Sequence, residues 1–189
     1  MAGNTSKLKI ISSALVLIGA APINSLNDAG AGADTAEALY ESSLENILTL
    51  HRWRFTMKQA QLSRSAEKPL YNWKYSFYLP NDYLFLEKTS SIDYDIIGDR
   101  LYSNDNNIFI EYGFRASESN FPAWFTKTLE YFLASEFAIP ITGNATKAQF
   151  YAERFEKQFS RARYEDSVAT PTNQLGQSPS MYPTISVRG

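Results

Sequence analysis

Two hydrophobic periods divide this chain. Near residues 6–18, Leu8, Ile11, Leu15 and Ile18 recur every three or four positions, the spacing of one helix face. Ser6 stands where an N-cap would sit and Gly19 where such a helix would stop. A second helix is predicted near residues 35–52, with Asp34 as N-cap and Glu37 completing a capping box. Leu39, Tyr40, Leu44, Ile47, Leu48 and His51 make its apolar face; Glu41, Ser42, Glu45 and Asn46 make the polar one. The Gly- and Asn-containing stretch 20–33 between them reads as a connector.

From Trp53 to Phe114 the period falls to two. Trp73, Tyr75, Phe77 and Leu79 alternate with Lys74, Ser76 and Tyr78, as on a half-buried antiparallel strand. Pro80-Asn81-Asp82 is a turn, and Tyr83–Lys88 leaves it as a strand. Tyr94–Ile97 and Arg100–Ser103 flank Gly98-Asp99, a tight hairpin signal, and Ile108–Phe114 follows a polar turn. Five or six short strands are expected.

Helical spacing returns near residues 122–138, opening at Pro122 and breaking at Ile139-Pro140. A last helix near residues 145–165, capped by Thr142 or Asn144, lines Ala148, Tyr151, Phe155, Phe159 and Ala162 along one side. The fold class is therefore α+β. A helical bundle (1–53 and 116–166) receives an inserted antiparallel β domain (54–115), and an extended C-terminal arm (167–189) follows. The arm is rich in Pro, Ser and Thr, yet carries the spaced anchors Leu175, Met181, Tyr182, Ile185 and Val187, suited to docking on a partner.

The changeover between periods falls at His51-Arg52-Trp53-Arg54-Phe55. We expect a rigid corner there, with Trp53 and Phe55 as its wedge and Arg52 and Arg54 turned outward or toward a neighbour. His51 is expected to be structural, bonding the terminal carbonyls of its helix.

Composition narrows the chemistry. Lys and Arg total 18 against 20 Asp and Glu, which leaves no broad basic surface for nucleic acid. There is no cysteine and one histidine, so thiolate chemistry and multi-histidine metal sites are excluded. Twelve Tyr, twelve Phe and three Trp suit a sheet core or extensive subunit contact. Lys7 and Lys9 before an apolar run imitate a secretory signal. The run is broken by Ser12 and Ser13, however, and falls short of the roughly 20 residues of a membrane span, so it reads as a core-facing helix. Asp93, Asp95, Asp99 and Asp105 gather around the hairpin without the order of a calcium loop. Turn chemistry accounts for them, with a weak divalent site as the alternative. No phosphate loop, nucleophile elbow or zinc-protease motif is present. No enzymatic activity, cofactor or metal is expected.

Several blocks, taken in order, resemble the tail tubular protein A family, the head-to-tail adaptors (connectors) of short-tailed, podovirus-type bacteriophages. They are ALVLIGAAPINSLND (Ala14–Asp28), LYESSLENILTLHRWRFTMKQAQL (Leu39–Leu62), YSFYLPNDYLFL (Tyr75–Leu86), IIGDRLYS (Ile96–Ser103) and YAERFEKQFSRARYED (Tyr151–Asp166). The resemblance covers roughly residues 6–166; its ordered spacing, rather than any single block, makes it specific. It implies a structural virion protein of the tail, assembled in the host cytoplasm as a homo-oligomeric ring, typically of twelve subunits. Such a ring binds the portal protein above and a nozzle like tail tubular protein B below, and tail fibres in many phages. Double-stranded DNA passes through its channel during genome ejection without sequence-specific binding, and no membrane is involved. On this view the C-terminal anchors form a portal-binding arm. The rival reading is a secreted, aromatic-rich module that binds or hydrolyses carbohydrate.

Overall fold

Four helices and two small antiparallel sheets make up the computed structural model, which describes residues 6–25 and 31–168. Helix α1 (Lys7–Leu17) starts where the Ser6 hydroxyl accepts from the Lys9 amide, 3.3 Å away. It ends at Gly19, whose φ of 80° is open to glycine at little cost. The last α1 carbonyls are also held from across the bundle, Ile18 O by Lys147 Nζ and Leu17 O by the Tyr151 hydroxyl. A cation at the negative end of a helix is a favourable placement.

Helix α2 (Ala31–Thr49) differs from expectation at both ends. Asp34 is not its N-cap but lies in its first turn, because the helix continues back through Gly32, which packs against Ile141. Part of the expected connector is thus helical. At the other end α2 stops before His51.

Helix α3 (Ala123–Thr142) is the hub, packing against α1, α2 and α4. Phe125, Leu129, Leu133, Ala134, Phe137 and Ala138 are buried along it. Pro140 does not end it. The turn around Pro140 is retained by bonds from Gly143 N to Ile139 O (2.9 Å) and Asn144 N to Ala138 O (3.4 Å). The break comes at Gly143, at φ 64°, where a left-handed residue closes the helix. Asn144 Oδ1 then accepts from Lys147 N at 2.9 Å and begins α4 (Ala145–Val168). Because α4 runs to Val168, the first two residues of the expected arm are helical, and 169–189 lie outside the described residues.

Between α2 and α3 the chain forms seven strands, one more than the upper expectation: β1 (Met57–Gln61), β2 (Ser63–Arg64), β3 (Tyr75–Tyr78), β4 (Tyr83–Thr89), β5 (Tyr94–Ile97), β6 (Arg100–Ser103) and β7 (Phe109–Phe114). The overlooked strand is β2, two residues long and too short to show a period. One sheet has the order β1-β7-β4, so the insertion's first and last strands pair and return the chain to the bundle. The other has the order β2-β3-β6-β5, with the hairpin turning at Gly98, φ 63°.

Two cores result. The larger fills the bundle and includes Trp53; the smaller, Leu62, Phe77, Leu101, Ile108, Ile110 and Tyr112, lies between the sheets. Phe114 packs against both. The architecture is a four-helix bundle with an antiparallel β region inserted between its helices.

Candidate functional site

The chain turns from bundle to sheet at one corner. After Thr49 it makes a short bend, then a 3-10 turn at Arg54–Thr56, then enters β1. The bend is closed by bonds from Trp53 N to His51 O (2.9 Å) and Thr56 N to Trp53 O (3.1 Å), with the Thr56 hydroxyl donating to the same carbonyl at 2.9 Å. Trp53 is fully buried. Its indole Nε1–H donates to Ile47 O at 2.9 Å, in the last turn of α2, where carbonyls run out of intrahelical donors. The side chain expected to satisfy those carbonyls was His51; Trp53 does so instead, because the bend folds the indole back over the helix end.

The structure brings His51, Trp53 and Phe55 into one aromatic cluster. Trp53 meets His51 edge-on at 4.7 Å between centroids and Phe55 at 6.4 Å. Phe125 and Trp124 from α3 lie 5.2 and 5.6 Å from it, and Phe159 from α4 lies 5.6 Å away. Phe55 in turn sits 4.8 Å from Phe125. Elements distant in sequence are joined here by apolar area and edge-to-face geometry.

A polar layer covers the cluster. Asp166, from the end of α4, is buried and accepts from the Arg54 amide through both oxygens, at 3.2 and 3.3 Å. Its Oδ2 lies 3.7 Å from His51 Nε2. Burial holds the imidazole below its ordinary pKa; Asp166 opposes this, and the charges of Arg163 and Arg52 reinforce it. Arg52 turns back onto the sheet of its own chain, pairing with Glu87 at 2.7 Å and with Glu111. Hydrogen bonds from Gln59 and Arg52 hold the Glu111 carboxyl below the usual range. Beside these groups is a pocket of about 520 Å³ lined by Arg54, Arg163, Ser160, Tyr164 and Ser167 together with His51, Arg52 and Asp166.

A second charged cluster ties the far end of the β region to α2. Arg115, just after β7, bonds Glu41 through Nε (2.6 Å) and Nη2 (3.1 Å), and Glu118 at 2.7 Å. The buried Tyr40 hydroxyl donates to Glu118 Oε1 at 3.1 Å. Burial and the neighbouring Glu118 push the Tyr40 hydroxyl far above its ordinary range, so it remains a donor. Burial alone would raise Glu118 as well, but bonds from Arg115 prevail and lower it.

The other candidate residues are dispersed. The anchors Leu175, Met181, Tyr182, Ile185 and Val187 lie outside the described residues. Asp93 and Asp105 flank the β5–β6 hairpin, Asp99 is in its turn and Asp95 lies within β5, and all four are exposed. The Asp93 carbonyl accepts from Ser91 (2.9 Å) and Ser103 (3.0 Å), and the Asp105 amide donates to Ser103 Oγ at 3.1 Å. These are turn-fastening bonds. Among the described residues no three His, Asp or Glu side chains are placed to hold a metal ion.

Asp166, Arg163, Arg115 and Glu118 were not singled out by sequence reasoning. Each looked like an ordinary exposed charge, and the partners that give it a role lie far along the chain. Compared with protein-family models and with curated proteins, the sequence matches none.

Proposed function

We propose that this chain is a structural subunit of a phage head-to-tail adaptor ring, joining a portal to a tail nozzle and enclosing part of the DNA ejection path. The observation that carries the reading is the corner. The H-x-W-x-F block that resembles the adaptor family supplies the aromatic wedge between bundle and β region. The opening IG-x-x-P block likewise supplies the α1 terminus that α4 fastens. Large apolar side chains also stand exposed on well-separated elements, Val16 on α1, Ile139 on α3, Phe150 and Tyr164 on α4, and Ile97 and Phe109 on the sheets. A closed ring needs two different complementary patches on each subunit, so apolar groups on separate faces suit it. Electron-microscopy class averages of purified protein, alone and with its portal, test the reading. Rings with a central hole are expected; a monomer under both conditions refutes it.

One observation favours the carbohydrate-binding alternative. A cleft of about 530 Å³ is lined by Tyr71, Trp73 and Tyr102 with Glu67 and Asp95 at its sides. Asn72, between two of these aromatics, has φ 60°, and the Trp73 amide bonds the Tyr71 carbonyl across it at 2.8 Å. On that reading, saccharides quench tryptophan fluorescence in the parent and not in Trp73→Phe.

A further inference from the structure

The pocket at the helix–sheet corner brings together two guanidinium groups that no carboxylate neutralises, whereas Arg64 and Arg154, which also lack an ion pair among the described residues, stand elsewhere. Arg52, Arg100, Arg115 and Arg161 each face a carboxylate. Arg54 and Arg163, which line the pocket from the corner and from α4, have no ion pair among the described residues. The one carboxylate in the lining, Asp166, is already committed. Both of its oxygens accept from the Arg54 amide, and Oδ2 also faces His51. With Arg52 held by Glu87 and Glu111, the wall presents two guanidinium groups, Arg54 and Arg163, against one engaged carboxylate, and Ser160 and Tyr164 also line it. This surplus stands out in a chain whose formal net charge is -2.

The arrangement favours a tetrahedral anion over a planar one. A carboxylate is best bound by a single guanidinium, two parallel bonds in one plane. Here the guanidinium groups arise from different elements, the corner loop and α4, and hydroxyl donors join them. Donors supplied from separate elements suit the several acceptor oxygens of a phosphate group better than they suit one planar carboxylate.

We infer that the pocket bounded by His51, Arg54, Ser160 and Arg163 is a binding site for a phosphate oxyanion. The ring proposed above is not needed for this site. Its source is either a free or small-molecule phosphate or the phosphodiester backbone of a nucleic acid, and the chemistry at the pocket is common to both.

Because the chain has one histidine, its imidazole resonances report on this pocket without ambiguity. The full chain is titrated at fixed pH and constant ionic strength, first with sodium phosphate and then with a short DNA duplex, while the His51 ring protons are followed by NMR. Saturable movement is expected, with about tenfold weaker binding in Arg163→Gln, the loss of one charge-assisted contact. Lys74→Gln, which removes an exposed charge in the β region, leaves affinity unchanged. Far-UV circular dichroism verifies that both variants are folded. Saturation by phosphate but not duplex assigns a small-molecule ligand; saturation at lower duplex concentration assigns a nucleic-acid backbone. Either result supports the site. No saturable movement with either probe overturns it. So does an equal response of the two variants, which marks diffuse screening, or binding of a poly-glutamate peptide where phosphate does not bind.

Discussion

Removing the indole at the corner should unfasten bundle and sheet together. In Trp53→Ala the protein loses a fully buried side chain contacting His51, Phe55, Trp124, Phe125 and Phe159. Large-to-small changes of this kind in a core cost about 3–5 kcal/mol. The Ile47 carbonyl also loses its indole donor, and leaving a buried acceptor unmet costs roughly 1–3 kcal/mol. Water entering the space can offset part of that second cost, so the net expectation is about 4–6 kcal/mol. Total stabilities lie near 5–15 kcal/mol, so a large fraction of the variant should be unfolded at 25 °C. Trp53→Phe separates the two contributions, because it keeps most of the apolar contact and discards the donor. It should cost about 2–3 kcal/mol, lowering the urea midpoint by roughly 1–2 M for an ordinary denaturant slope. Urea titration followed by far-UV circular dichroism measures both. A loss below about 1 kcal/mol in Trp53→Ala, with an unchanged slope, would refute the view that this residue joins the two halves.

Further expectations concern the polar clusters and one close approach. Arg115→Ala should cost about 2–3 kcal/mol by leaving the Glu118 carboxylate without its cation, whereas Glu41→Gln, at a half-exposed partner, should cost under about 1 kcal/mol; thermal unfolding ranks them. His51 has a folded-state pKa below its unfolded value, so its contribution to stability is complete above about pH 6.5 and is lost as pH falls through the folded value. Stability should therefore decline on acidification from pH 7 to 5.5, and more shallowly in His51→Gln, as read by urea midpoints across that range. Asp82, Glu111 and Glu118 also have lowered pKa values and add a second decline below about pH 4.5 by the same sign. Gly113→Ala places a Cβ inside the envelope of the Phe85 ring and should cost about 1–3 kcal/mol unless that ring swings away; differential scanning calorimetry decides.

What could be read from the chain in advance follows the range of the forces involved. The ends of α1, the turn at Gly98 and the apolar face of α4 depend on neighbours within a few residues, so their signals are written locally. Pro140 misled because a local rule met a non-local force. The helix-breaking cost of proline is a few kcal/mol, and burial of Phe137 and Ala138 in the bundle, with the Gly143 closure behind them, outweighs it. Asp34 misled in the same way, since packing of Gly32 against Ile141 carries α2 past the strongest capping signal in that stretch.

The corner shows the limit most clearly. Its wedge residues were legible, because Trp53 and Phe55 sit where one hydrophobic period gives way to another. Its polar layer was not. Asp166 lies 112 residues from the Arg54 amide that it accepts from, and nothing in either local sequence marks the other. A carboxylate near the end of a long helix is commonplace; a buried one that fastens the opposite end of the fold is recognisable only once α4 has been laid across the bundle. The same docking brings Arg163 beside Arg54 and creates the surplus of positive charge at the pocket. Fold-specific chemistry in this chain therefore arises where α4 closes over the corner. Substitutions at Asp166 should accordingly affect both stability and anion binding, whereas substitutions at the exposed Arg163 should affect binding far more than stability.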